Sequence, residues 1–215
     1  MAILIDDMGY NAAIDRRFID LEAPLSFAFL PYAPNTGEIA RYAKRHGRDV
    51  LVHIPMEPEN KAMDPGRGVL TVDMDLPHLV DVLGQDIERV PGAIGANNHM
   101  GSRFTKDRRA MEIVIAYLKS RKFFFVDSRT TKDTVAYKVA KEMGIRCAQR
   151  SVFLDHTLSR KSILHEIRRS IKLARKQGSV IAIGHPSRLM YQVLYDELPR
   201  LRKQVKLVPV HNLVH

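Results

Sequence analysis

The feature that most constrains this chain is an alternation of two patterns. Short, near-continuous apolar runs recur between longer segments whose apolar residues fall at helical spacing. The runs lie at residues 2–6, 25–30, 50–54, 93–96, 123–127, 147–154, 179–184 and 206–210. Strands buried on both faces of a parallel sheet read this way. The segments between them carry helix punctuation. Asn35 opens a segment that ends at Gly47, and Asp75 precedes 76–89. Thr105 precedes 106–121, and Thr131 opens a segment ending at Gly144. Ser159 opens one ending at Gly178, and Ser187 opens the last. A short polar residue at the start and glycine just past the end is the expected asymmetry. Eight strands alternating with about seven helices predict an α/β fold with mostly parallel strands, either a compact (β/α) barrel or a doubly wound sheet. No linker or repeat divides the 215 residues, which points to one domain spanning 1–215. Residues 55–75, rich in proline and glycine, read as a long loop of functional type.

Composition narrows the classes. At 45% hydrophobic and 27% charged residues the chain can bury a core, and it has no apolar stretch long enough to span a membrane. The start, Met1 followed by an apolar run, suggests a cytoplasmic protein or a domain trimmed from a longer precursor. A single cysteine, Cys147, excludes an internal disulfide. The formal charge is +10, part of it concentrated in residues 160–176. Those residues read first as an amphipathic helix with a solvated basic face, and second as a patch for a polyanion. No nucleic-acid motif is present, and neither is a phosphate-binding glycine loop or a nucleophile elbow.

The polar residues that interrupt the pattern gather at the downstream ends of the runs. Asp6-Asp7 ends the first and His53 the third, with Glu57 following. Asn97-Asn98-His99 ends the fourth, Asp127-Ser128 the fifth, Asp155-His156 the sixth and His185 the seventh. In parallel α/β folds the active site is built at that end of the strands. Taken singly, such an Asp is most often a turn former and such a His a structural hydrogen-bonder. The set carries the signal. Asp6 and Asp7 can share one site only where the chain turns, and two adjacent buried carboxylates need a cation or donors to compensate. His53 and His99 supply nitrogen ligands, which with a carboxylate suit zinc or a similar divalent ion.

The segments Ile5-Asp6-Asp7-Met8-Gly9-Tyr10, His53-Ile54-Pro55-Met56-Glu57-Pro58, Asn97-Asn98-His99-Met100-Gly101-Ser102, Val126-Asp127-Ser128-Arg129-Thr130 and Ile183-Gly184-His185-Pro186 resemble the divergent polysaccharide deacetylase family. That family is a distant branch of the NodB-like carbohydrate esterases. The resemblance runs in order over essentially the whole chain. It implies a distorted (β/α) barrel of seven or eight strands and a metal-dependent site, with Asp6 as the catalytic base and Asp7 as a metal ligand. His53 matches the first of two His usually spaced four apart. Glu57 stands in the place of the second, and His99 is favoured over Glu57 to complete the metal set. The usual Arg-x-Pro-Tyr segment is replaced by Asn97-Asn98-His99. His185 matches the general acid. The implied substrate is an acetylated glycan or peptidoglycan-like polymer, and the implied location is periplasmic or extracytoplasmic.

The mechanism expected on this basis is hydrolysis of an acetyl group. Asn98 is expected to contribute to an oxyanion site, and Asp127 to orient His185 or another base as a catalytic partner. Arg103 and Arg129, just past strand ends, are expected to contact substrate. Two other readings stand beside it: a non-catalytic glycan- or envelope-protein-binding domain on the same scaffold, and a polyanion binder using residues 160–176.

Overall fold

The computed structural model describes all 215 residues. Its centre is one sheet of eight strands: β1 (Ala2–Met8), β2 (Ser26–Phe29), β3 (Asp49–Met56), β4 (Gly95–Met100), β5 (Phe124–Asp127), β6 (Cys147–Gln149), β7 (Val152–Phe153) and β8 (Ile181–Gly184). Every pairing is parallel, in the order β6-β5-β4-β3-β2-β1-β8-β7. The two outermost strands are consecutive in the chain. The sheet therefore curls into a barrel whose seam, between β6 and β7, is crossed by Arg150 and Ser151. Seven helices cover the outside: α1 (Ala12–Ile19), α2 (Thr36–Arg45), α3 (Leu76–Glu88), α4 (Arg108–Ser120), α5 (Ala136–Glu142), α6 (Arg160–Gln177) and α7 (Arg188–Gln204).

The period-two alternation of the strands makes two cores. Ile3, Ile5, Phe27, Val52, Ile54 and Phe125 face the helices in the larger cluster. Ala2, Leu4, Leu51, Phe124, Val126 and Ile183 fill the barrel interior. The interior is apolar only near the upstream ends of the strands. Further along, its positions become Asp6, His53 and Asn97, all buried.

Several expectations are corrected, and one helix is added. Residues 206–210 form no strand. Pro209 brings no N–H, and the segment instead runs under the barrel, placing Val210 and Val214 in the interior cluster. It is tied there by Val208 N–H to Met1 O (3.0 Å), Val210 N–H to Ser26 Oγ (2.9 Å) and the His211 Nδ1–Asp49 Oδ1 pair (2.7 Å). The run 147–154 is two strands, because the polar Gln149-Arg150-Ser151 breaks it at the seam. Helix α4 starts at Asp107, whose carboxylate caps Ala110 N (2.8 Å), and not at Thr105, which is bonded to Gly101 O. Helix α1, capped by Asn11, is not among the predicted segments; Ile14, Phe18 and Ile19 form its buried face.

Strands β3 and β4 run further than their apolar residues suggest. Asn97 and His99 therefore lie within β4 and share a face, opposite His53 and Pro55 of β3. The loop after β3 is pinned at both ends: Leu70 N–H reaches Pro55 O and Glu57 N–H reaches Leu70 O, each at 2.9 Å.

Candidate metal centre and catalytic site

A bulge in β1 brings the two neighbouring carboxylates together. Between Ile5 and Met8 the register against β2 slips, so β1 has an extra residue there. Asp7 takes the left-handed conformation, with φ of 52°. The turn is at Asp7 itself. Gly9, two residues on, is needed for close packing: a Cβ there would lie 2.3 Å from Thr36 Oγ1.

Asp7 Oδ1, His53 Nε2 and His99 Nδ1 form a triangle. Its edges are 2.9 Å (Asp7–His99), 3.2 Å (Asp7–His53) and 3.2 Å (His53–His99). Ligand atoms about 2.0–2.1 Å from a tetrahedral ion stand about 3.3 Å apart, so the triangle has the size of one face of such a shell. The protonation logic agrees. The Asn97 amide nitrogen donates to Asp6 Oδ1 and Oδ2 (2.9 and 3.0 Å), which turns its carbonyl oxygen to His53 Nδ1 at 2.8 Å. Neutral His53 then carries its proton on Nδ1 and a lone pair at Nε2, aimed at Asp7. Asp7 Oδ1 is buried without a hydrogen-bond partner although two imidazole nitrogens lie within 3.2 Å. A shared cation satisfies all three atoms at once, and the donor set fits zinc or a similar divalent ion.

The electrostatics follow from this crowding. Burial works to raise the Asp7 carboxyl, but the two imidazoles beside it win and hold it well below the usual carboxylate range. Burial works to lower His53, and the carboxylates of Asp6 and Asp7 outweigh it, pushing the imidazole up. Asp6 is raised, chiefly by burial, with His53 and His185 opposing.

His185, on the far side of Asp7, has Nε2 3.9 Å from Asp7 Oδ2. Its partner is Asp155, not Asp127. Asp155 Oδ1 is 3.0 Å from His185 Nδ1, and Asp155 Oδ2 accepts the His185 backbone N–H at 2.7 Å. Burial alone would lower His185, but Asp155 and then Asp7 bring it up to about 9. Asp127 is spent elsewhere: it accepts Arg129 N–H, Thr134 Oγ1–H and Tyr137 N–H, anchoring the turn into α5. The expectation that Asp127 orients His185 is corrected accordingly. Asp155 was visible in the sequence as a strand-end Asp, but nothing local marked it off from a turn former.

The other expected residues divide. Asn98 lines the cavity, with its carbonyl accepting Ser128 N–H and its amide donating to Met100 O (both 2.8 Å), so it ties β4 to β5. Arg129 also lines the cavity. Arg103 does not: it pairs with Glu57 and reaches Asp73. Glu57 also accepts Val72 N–H, so its carboxylate braces the loop and stays out of the His53–His99 cluster. Arg150 went unnoticed in the sequence because it lies inside what reads as one strand. It lines the cavity with its guanidinium stacked 3.8 Å over Phe153.

Residues 3–214 match the sequence profile of the divergent polysaccharide deacetylases. The chain belongs to that family. A relative in Haemophilus influenzae, an uncharacterized protein, is 38% identical over 213 residues, covering 99% of this chain and 76% of its own. An uncharacterized protein from Agrobacterium tumefaciens C58 superposes with a TM-score of 0.93 at 22% identity, over 99% of this chain and 88% of that one. The fold also matches the peptidoglycan N-acetylglucosamine deacetylase Bc1960 (TM-score 0.55, 14% identity, 97% and 85% covered). It matches as well a CE4 family pseudoenzyme from Bacillus anthracis (TM-score 0.59, 10% identity, 99% and 64% covered). The barrel of this divergent polysaccharide deacetylase is thus of the NodB-like CE4 type. That scaffold carries both a deacetylase and a pseudoenzyme, so only the side chains of the site bear on activity.

Proposed function

We propose that the chain, acting as one catalytic unit, is a metal-dependent hydrolase that removes acetyl groups from a glycan of the cell envelope, in a periplasmic or extracytoplasmic setting. The observation that carries this is the Asp7–His53–His99 triangle, flanked by Asp6 on one side and the Asp155-held His185 on the other. Asp7, His53 and His99 would hold a divalent ion, with zinc suiting the donor set. When bound, such an ion supplies Lewis acidity, polarising an acyl carbonyl and acidifying water at neutral pH. Asp6, gripped by Asn97, takes the proton of the attacking water. His185, with Nδ1 held by Asp155, donates from Nε2 to the leaving amine or alkoxide. Asn98 fixes the β4–β5 rim that faces the acyl oxygen. General acid–base assistance of this kind contributes roughly 10²–10⁴ in rate.

Metal analysis of the purified chain beside Asp7→Asn and His99→Ala tests the ligand set. Both variants are expected to lose most bound metal, and unchanged content in both would overturn the assignment. Acetate release from peptidoglycan fragments and acetylated glucosamine oligomers tests the reaction. It is expected to stop with chelator and to fall about 10²–10⁴-fold in Asp6→Asn.

One observation favours a second reading, a glycan-binding domain without turnover. Glu57 replaces the usual second His and is engaged with Arg103 and Val72. Metal-loaded protein that binds these glycans and releases no acetate would establish it.

A further inference from the structure

The cavity above the proposed metal centre, about 750 Å³, has a wall of arginines that the acetyl chemistry does not use. Arg129, Arg150 and Arg169 all line it. Arg150 spends Nε on Ser128 O (2.6 Å) and Nη2 on Arg129 O (2.7 Å), so backbone carbonyls and the Phe153 ring hold it in place without a carboxylate partner. Burial, then the neighbouring charge of Arg129, lowers its guanidinium to about 10; the carboxylates of Asp127 and Asp6, neither paired with it, oppose the shift, and Arg169 adds to it. Only Arg169 has a carboxylate partner, Glu166 at 3.0 Å. Three guanidiniums with one ion pair among them leave a cavity wall that favours an anion, and their planar forks suit the oxyanions of carboxylate or phosphate groups.

The positive lining does not stop at the cavity. Arg169 also lines a second groove of about 480 Å³ between α6 and α7, together with Arg168, Lys172, Arg175 and Arg200, and no acidic residue lines that groove. Arg169 thus stands between the site and the basic face of α6.

We propose that the substrate is an acidic glycan: an oxyanionic group on a sugar next to the acetylated one seats on Arg129, Arg150 and Arg169, and the polymer continues along the α6–α7 groove. This rests on the deacetylase reading for the word substrate, while the anion subsite stands on its own geometry. Phe153, stacked under Arg150, also packs its ring 5.9 Å from that of His185, so the bound anion lies beside the proposed acid.

The test is binding of end-labelled oligogalacturonate, a phosphomannan fragment and a neutral N-acetylchitooligosaccharide of matched length to the metal-loaded chain, by fluorescence anisotropy. At least one acidic oligomer is expected to bind about tenfold or more tighter than the neutral one and to weaken steeply with salt. The carboxylate and phosphate arms show which oxyanion is preferred. Arg129→Gln with Arg169→Gln is expected to abolish that preference, while bound metal and the urea unfolding midpoint stay at the parent values and report that the fold is intact. Arg175→Gln with Arg200→Gln is expected to weaken only the longer acidic oligomers. Equal affinity for acidic and neutral oligomers, or a preference untouched by the Arg129 and Arg169 changes, would overturn the proposal. Asp6→Asn separates the two readings: acidic binding retained there, with no acetate released by the parent chain, ends the deacetylase reading alone. Acetate release without any acidic preference ends the anion subsite alone.

Discussion

His185 depends on one carboxylate for its orientation, because Asp155 holds both its ring and its backbone N–H. Such outer partners fix the tautomer and are worth roughly 10–100-fold. Asp155→Asn is therefore expected to slow acetate release about 10–100-fold while bound metal stays constant, and an unchanged rate would remove Asp155 from the site. Asp86 makes the opposite case, a carboxylate far from the chemistry. Both of its oxygens are buried without partners, and burial, only partly offset by Arg89, pushes it up to about 8. Between the ordinary value of 3.8 and about 8 the unfolded chain ionises this group while the folded chain keeps it protonated. Its contribution to stability is thus complete at low pH and is lost as pH rises through that window. Asp86→Asn is expected to flatten this slope and to gain on the order of 1–3 kcal/mol at high pH, read from urea midpoints in mildly acidic and alkaline buffer. A parallel pH dependence in variant and parent would refute the assignment.

Among the elements, the caps decide where helices begin. Asp107 closes the first turn of α4, and Asp107→Ala is expected to cost about 0.5–2 kcal/mol in urea unfolding with an unchanged slope. The boundary was hard to read because Thr105 and Asp107 both have capping chemistry, and only the tertiary bond from Thr105 to Gly101 O separates them. The same limit hid the end of β4. Asn97, Asn98 and His99 have low strand propensity, and pairing with β3, joined at Asn97 by β5, overrides it. Where side chains repeat at a clear period, as in α6 with its Ser159 cap, the sequence was enough. The loop following β3 adds a further expectation. Glu57→Gln removes the pair with Arg103 that braces it beside Pro58 and Met63 of the cavity, so KM should rise more than kcat falls.

At the scale of the whole molecule, the barrel is closed below by the segment after α7 and open above to the site. Val210 sits in the interior cluster with Leu4, Leu51 and Val126, so Val210→Asp places an unpaired charge there and is expected to cost about 3–5 kcal/mol, seen as a lowered Tm. An unaltered Tm would mean that the plug does not bear on the core. The parallel barrel and the residue types at its rim were legible because strand-end position and chemistry are both local. Which Asp faces which His is set by barrel curvature, and that does not show in spacing. It is why Asp155 displaced Asp127 and why Arg150 emerged only across the seam. Three of the four non-glycine residues with left-handed backbone, Asp7, Met100 and Arg129, occupy strand ends around this rim. Each such conformation stores about 1–3 kcal/mol of strain. The rim is thus a tensioned edge on a relaxed body. Relieving it by glycine would make a sturdier protein, and in the same stroke loosen the grip that keeps adjacent carboxylates turned toward one point.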